Sequence, residues 1–78
     1  MDHTEMPLNC LPMGVKANVV GLSTSGPDRR RMLDLGLIQG TEIEPLYKSP
    51  SGNPIAYQIR GAVIALRSDV SDKILVSA

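Results

Sequence analysis

The chain has 78 residues, with eight acidic and eight basic side chains, a formal net charge of zero and 42% hydrophobic residues. This length excludes two separate hydrophobic cores, and the hydrophobic content excludes a disordered chain. Zero net charge removes the long-range field that draws basic proteins to nucleic acid, and a single cysteine excludes an internal disulfide. With two Tyr and no Phe or Trp, the core is expected to be aliphatic.

Apolar runs in the sequence are short. The longest uninterrupted one is Ala62–Leu66, far below the roughly 20 residues that a membrane-spanning helix needs. The first six residues contain acidic side chains and no Lys or Arg, unlike a secretory signal. A lone cysteine suits a reducing compartment. We therefore expect a cytoplasmic protein.

Taken in chain order, residues 1–8 are predicted to be a flexible lead-in, and residues 9–78 a single folded domain. The first strand is predicted from Val15 to Leu22, where apolar and polar residues alternate at its start. A short helix follows in the first long connection. Ser25 or Gly26 suits its N-terminal cap, and the residue after Gly26 is a proline, which fits the first helical position.

The end of this helix is marked by Gly36, which suits a left-handed stop. In such a Schellman ending, Leu37 packs back on Met32. Gly40 then stands where a type II turn needs a positive φ. This run of apolar and glycine residues predicts a helix of two to three turns that must dock on a sheet, because a helix so short is unstable alone.

The second half of the chain reads as strands joined by tight turns. Pro45 cannot donate a ladder hydrogen bond, so its strand is expected at a sheet edge or with a bulge. Alternation places Tyr47 and Tyr57 on adjoining strands, both facing inward. The predicted elements are strands at 41–48, 55–60, 62–66 and 73–76, and one helical turn within 67–72. Together these elements predict a small all-β fold, a five-stranded barrel closed on itself, with one short helix in the first long loop and a helical turn before the last strand.

Catalytic and metal-binding patterns are absent from the sequence. Cys10 has only His3 as a nearby base, with no third group to orient it. Asp2, His3, Glu5 and Cys10 lie close in sequence but lack a paired ligand spacing such as C-x-x-C. We therefore predict no enzyme activity, no catalytic residue, no metal site and no cofactor, with a divalent transition metal kept as the alternative.

The strongest polar feature is a run of three arginines at the start of the helix. Arg29, Arg30 and Arg31 offer guanidinium groups to acidic residues on a partner, and they lie near the positive end of the helix dipole, which is unfavourable for the helix itself. Leu37 and Ile38 are apolar residues that would anchor a partner if they stay exposed. These five residues are the predicted partner-binding set.

The sequence resembles the FeoA family of small cytoplasmic proteins associated with bacterial ferrous iron transport. The resemblance extends over roughly Leu8 to Val76. It is carried by Arg31-Met-Leu-Asp-Leu-Gly-Leu-Ile-Gln-Gly-Thr-Glu-Ile43, Tyr57-Gln-Ile-Arg-Gly-Ala-Val-Ile-Ala-Leu-Arg67, Ile74-Leu-Val76, Leu11, Gly14 and Val19. The chain departs from the family in having Gln39 where a proline is common before the turn glycine, and in being neutral where the family is often basic.

The resemblance implies an SH3-like β-barrel without catalytic activity. It implies an accessory role in ferrous iron uptake through protein–protein contacts with the cytoplasmic part of a FeoB-type transporter, by way of the helix and loop over residues 25–40. Membrane association would then be indirect, and the protein a monomer. Two alternatives stay open: a metal-sensing module that binds a divalent transition metal, and a small nucleic-acid-binding β-barrel. Zero net charge and the lack of stacking aromatics argue against the second.

Overall fold

Six strands form a single antiparallel sheet in the computed structural model, which describes residues 5–78. The strands are β1 (Glu5–Pro7), β2 (Ala17–Leu22), β3 (Glu42–Lys48), β4 (Ile55–Ile59), β5 (Ala62–Leu66) and β6 (Ile74–Ser77). Two helices are present, α1 (Gly26–Asp34) and α2 (Ser68–Ser71), together with a 3₁₀ turn at Leu8–Cys10. No helix in this described part of the chain is long and apolar enough to cross a membrane.

The strand order is β1-β6-β2-β3-β4-β5. Strands β2 to β5 follow one another as a meander, β6 returns to pair with β2, and β1 pairs with the outer side of β6. The predicted all-β class is confirmed, with α1 in the first long connection and α2 before the last strand. The ladder itself stays open, because β1 and β5 form its two edges. The barrel is therefore completed by side-chain packing around the core.

One aliphatic core lies inside the curved sheet. Residues from both ends of the strand order, including Leu66 on β5 and Leu8 after β1, belong to the same buried cluster. Its members are Leu8, Leu11, Ala17, Val19, Met32, Leu37, Ile43, Ile55, Tyr57, Ile59, Leu66, Ile74 and Val76. Only one of them is aromatic, as the composition predicts. Burial of this single cluster is the main driving force for folding of so small a domain.

The predicted flexible lead-in differs from the structure over residues 5–8. Glu5, Met6 and Pro7 form β1 and pair with Ser77, Val76 and Leu75 of β6. Leu8, which follows, is fully buried. Three residues ending in proline are too few to show a periodicity of two, so the sequence gives no strand signal there. Residues 1–4 lie outside the described part of the chain.

A bulge in β3 decides which way its tyrosine points. The register shifts between Pro45, which pairs with Tyr57, and Tyr47, which pairs with Ala56. Because one extra residue inverts the alternation beyond it, Tyr47 is 62% exposed while Tyr57 is fully buried. The prediction that both tyrosines face inward is therefore correct for Tyr57 and wrong for Tyr47.

Pro45 occupies a position in β3 where its missing N–H costs no ladder hydrogen bond. The β2 ladder reaches β3 only at Ile43 and Glu42, so it stops short of the proline. The Pro45 carbonyl oxygen instead accepts a hydrogen bond from the Gly14 N–H at 2.7 Å. The predicted bulge is confirmed, while the strand itself lies between β2 and β4 and not at an edge.

Candidate protein-interaction surface

Helix α1 is held to the sheet by a narrow inner face. It begins after Ser25, which adopts an extended conformation, and a proline occupies its first turn. Met32 is the one residue within the helix that is buried. Because a single side chain anchors the helix, most of the helix surface faces solvent. The charged residues of α1 are therefore accessible to a binding partner.

The helix ends as the sequence predicts. Gly36 has φ +92°, its N–H donates to the Leu33 carbonyl at 3.0 Å, and the Leu37 N–H donates to the Met32 carbonyl at 3.0 Å. These two bonds define a Schellman motif. They turn the chain so that Leu37 enters the core directly below the helix.

The loop that follows is tied at both ends. The Thr41 hydroxyl donates to the Gly36 carbonyl at 2.9 Å, and the Thr41 N–H donates to the Ile38 carbonyl at 3.0 Å across the turn at Gly40. The Gly40 N–H donates to the Val19 carbonyl at 2.7 Å, which fastens the turn to β2. The loop therefore fixes which of its apolar residues faces inward.

The structure places two of the three arginines together. Arg29 and Arg30 are exposed on the outward side of α1, where they line a shallow depression of about 330 Å³ with Gly26, Leu33 and Asp34. Residues three and four apart on a helix are neighbours on its surface. Arg29, Arg30 and Leu33 therefore form one continuous feature, which we call the outer face of α1.

Arg31 lies on a different surface. It borders a groove of about 580 Å³ between α1 and the segment that contains β5 and α2. Leu35, four residues further along the helix, borders the same groove. The run of three arginines is therefore divided by the helical twist, and Arg31 contacts a different environment from Arg29 and Arg30.

Of the two apolar residues predicted to anchor a partner, the structure buries one and exposes the other. Leu37 is 0% exposed and belongs to the core, so its predicted role in partner contact is wrong. Ile38 is 46% exposed and lines a polar depression of about 480 Å³ with residues that include Lys16, Glu42 and Arg60. The exposure that a partner contact requires is present at Ile38, and its binding role stays a prediction.

Among the described residues, six large exposed apolar side chains were not predicted as contact residues. Leu33 and Leu35 of α1 are 38% and 39% exposed. Tyr47 is another of the six. A nine-residue helix that buries one residue leaves neighbouring leucines at the margin of its contact. The buried stripe of α1 is one residue wide, at Met32, and the apolar pattern of the sequence carries no signal of that narrowness.

The prediction of no metal site concerns the whole chain, of which the structure describes residues 5–78. Within residues 5–78, no three or more His, Cys, Asp or Glu side chains are grouped so as to hold a metal ion. Cys10 is exposed as a free thiol at the end of the 3₁₀ turn. Asp2 and His3 lie outside the described residues, so the absence of a cofactor and of metal ligands stays a prediction.

Comparison with known proteins identifies the family of the chain. The family model described as the FeoA domain matches residues 6–78. No match was found among curated protein sequences. The FeoA protein of Chlorobium tepidum is 32% identical, with a TM-score of 0.84, over 92% of this chain and 69% of its own. A FeoA-like protein of Clostridium acetobutylicum is 36% identical, with a TM-score of 0.86, over 97% of this chain and 87% of its own.

A third solved structure links the fold to a described architecture. The FeoA of Stenotrophomonas maltophilia, determined in complex with zinc, is 28% identical, with a TM-score of 0.81, over 91% of this chain and 88% of its own. That protein is described as a unique prokaryotic SH3 domain protein, and a role as a bacterial ferrous iron transport activating factor has been suggested for it. The predicted SH3-like fold is confirmed by this similarity.

Proposed function

The chain belongs to the FeoA family, and on this premise we propose that it is a non-catalytic accessory protein of bacterial ferrous iron uptake. It acts on the cytoplasmic side by binding the cytosolic domain of a FeoB-type transporter and favouring one conformation of that domain. The activating role suggested for the Stenotrophomonas maltophilia protein supports this proposal. The family relation supports the iron-uptake role, and the surface of α1 supports the mode of contact.

The observation that carries the mode of contact is the outer face of α1. Arg29, Arg30 and the partly exposed Leu33 stand together on the solvent-facing surface of a helix that is anchored at Met32. Guanidinium groups beside an apolar side chain fit a partner surface that joins carboxylates to a small apolar patch. Since the chain as a whole carries no net charge, attraction to such a partner would be local.

The helix is also suited to transmit contact to the rest of the domain. Its C-terminal end is joined by hydrogen bonds to the loop over residues 36–41, and that loop is bonded to β2. A partner that binds the outer face of α1 therefore contacts an element that hydrogen bonds hold in place, and not a free loop. Preorganisation of this kind reduces the conformational entropy lost on binding.

The test is an amide NMR titration of the isotope-labelled protein with the isolated cytosolic GTPase domain of a FeoB transporter. We expect shift changes or line broadening concentrated over residues 25–40 and strongest on the outer face of α1. With a double charge reversal, Arg29→Glu with Arg30→Glu, the same changes should need at least about tenfold more partner. Lys48→Glu, an exposed basic residue at the end of β3, is the matched control and should leave them intact. A spectrum that is unchanged at high partner concentration contradicts the proposal.

A further inference from the structure

Strand β5 leaves one side of its backbone without a strand partner. Among the described residues it pairs only with β4, from Ile55 opposite Leu66 to Ile59 opposite Ala62. A two-residue turn at Arg60 and Gly61, both with positive φ, joins the two strands, so Ile59 and Ala62 exchange hydrogen bonds across it. Alternation along the ladder then directs the N–H and C=O groups of Val63 and Ala65 away from β4, towards the free edge.

This edge lacks the devices that usually protect one. The opposite edge, β1, has only three residues, of which one is Glu5 and one is Pro7. Strand β5 is five residues long, contains no charged residue, proline or glycine, and keeps an unbroken register with β4. Proteins normally block an exposed edge with charge, proline, a bulge or a cover, because it is a template for another strand. Strand β5 has none of the first three.

A groove runs beside this edge. It has a volume of about 580 Å³ and lies between α1 on one side and β5 with α2 on the other. Its apolar lining comes from Met32, Leu35, Ile64, Ala65, Leu66 and Val70. Its charged lining is balanced, with the acidic Asp28, Asp34 and Asp69 and the basic Arg31, Arg67 and Lys73. The groove therefore offers backbone hydrogen-bonding groups and apolar surface without a net charge.

We propose that the free edge of β5 and the adjoining groove bind an extended peptide segment of a partner protein, which adds to the sheet as a further strand. The unpaired groups of Val63 and Ala65 would bond to its backbone. Alternate side chains of the segment would enter the groove towards Ile64 and Leu66. Because the acidic and basic residues of the groove are equal in number, the segment that fits is uncharged, with apolar residues at every second position.

A second copy of this chain fits the same edge less well. Helix α1 forms the opposite wall of the groove, so the edge is recessed, and a folded second copy carries its own α1 beside β5. A five-residue strand is also a short seam for a stable dimer, because stable protein interfaces bury roughly 1,200 Å² or more. A single peptide strand of similar length, about 17 Å at about 3.4 Å per residue, matches the edge without these obstacles.

The free edge of β5 with its groove is a different surface from the outer face of α1, which is proposed to bind the transporter domain. Failure of one proposal therefore leaves the other standing. The probe is a pool of acetylated and amidated heptapeptides in which Val, Ile or Leu alternates with Thr or Gln. We expect saturable amide shifts at Val63, Ala65 and the groove residues, and slower amide hydrogen exchange at Val63 and Ala65. Exchange at Ile64, which is bonded within the β4 ladder, should change least.

Backbone bonding is tested separately from apolar contact. The best-binding peptide is resynthesised with N-methyl groups on alternate residues, in the two possible phases. One phase should weaken binding at least about tenfold and the other should not, because only one set of peptide N–H groups faces β5. On the protein, Ala65→Pro removes the outward N–H without breaking the β4 ladder and should abolish binding. Ala65→Ser, which keeps the N–H, is its control.

Each alternative outcome overturns the proposal. Absence of any shift at millimolar peptide, shifts confined to the outer face of α1, or equal effects of both methylation phases would each exclude strand addition at β5. Concentration-dependent dimerisation that involves Val63 and Ala65 would assign the edge to a second copy. If Ala65→Pro does not fold, the two methylation phases still decide the question, because they leave the protein unchanged.

Discussion

The side chain of Arg60 lies across Gly36: its Cδ atom is 2.7 Å from the point that a Cβ atom would occupy at Gly36. Gly36 ends α1 and Arg60 begins the turn between β4 and β5, so this contact joins the helix to the far hairpin. Both residues have positive φ, +92° and 52°. The glycine is thus required twice, once by its own backbone and once by the space that Arg60 fills.

Three glycine-to-alanine variants separate these two requirements. Gly36 has both a positive φ and a close neighbour, Gly40 has a φ of +90° and open space, and Gly21 has open space without a positive φ. We expect Gly21→Ala to leave the free energy of unfolding unchanged or slightly raised. Gly40→Ala should lower it by about 1–2 kcal/mol. Gly36→Ala should lower it by a further 0.5–1.5 kcal/mol or so, because Arg60 must leave its rotamer.

Urea unfolding of the three variants gives the order, and Arg60→Ala gives the control. In the Arg60→Ala background, the cost of Gly36→Ala should fall to that of Gly40→Ala, since nothing then occupies the space. Equal costs of Gly36→Ala in both backgrounds would show that the Arg60 side chain moves aside freely.

The neighbouring residues Leu37 and Ile38 should separate stability from binding. Leu37 is fully buried in the core cluster, so Leu37→Ala should lower the free energy of unfolding by about 2–5 kcal/mol. Ile38 is nearly half exposed, and Ile38→Ala should change it by no more than about 1 kcal/mol. Thermal or urea unfolding measures both. Similar losses for the two variants would contradict the inward and outward placement of this pair.

Alkaline pH should destabilise the protein through Tyr57. Burial raises the pKa of the Tyr57 phenol above its ordinary value of 10.0, and the Ser71 hydroxyl opposes this by a smaller amount. The geometry between the two hydroxyls falls short of a hydrogen bond, and within residues 5–78 both are buried without a partner. With a folded pKa above the unfolded one, the folded state holds more protons above pH 10, so stability is complete below pH 10 and falls as pH rises beyond it.

Substitution of this phenol gives the measurement. We expect Tyr57→Phe to remove much of the loss of stability between pH 9 and pH 11, followed by urea unfolding. At neutral pH the variant should be equally stable or slightly more stable, because it removes the unpaired phenol hydroxyl from the core. Tyr47→Phe, at the exposed tyrosine, is the control and should retain the wild-type decline. A decline that Tyr57→Phe leaves unchanged would assign alkaline unfolding to other groups.

The separation of the arginines predicts unequal effects on binding to the transporter domain. Arg29→Glu with Arg30→Glu should raise the dissociation constant by about tenfold or more, and a tenfold change corresponds to about 1.4 kcal/mol of binding free energy. Arg31→Glu, on the groove side of α1, should raise the dissociation constant by less than about threefold. Isothermal titration calorimetry at two salt concentrations measures both, and the double variant should lose most of the salt dependence. Equal effects of the three arginines would place the contact across both sides of the helix.

Several turns and strand bounds could be predicted from local sequence. The Schellman ending at Gly36 and the turn at Gly40 follow from glycines placed after apolar runs, and both are observed. Strand β5 has the bounds that the apolar run predicts, and β4 differs by one residue. These features depend on the conformational preferences of a few consecutive residues, and those preferences follow from the residue types alone.

The candidate surface depended on contacts between distant segments. The inward turn of Leu37, the exposure of Leu33 and Leu35, and the division of the arginines follow from which narrow side of α1 meets the sheet. Strand β1 exists because β6 offers it a free edge, and Tyr47 faces outward because a bulge inverts β3. Sequence therefore determined the turns, most strands and the family, whereas the tertiary structure decided which side chains remain at the surface. Burial is a property of the surfaces that meet, and local periodicity does not encode which surfaces those are.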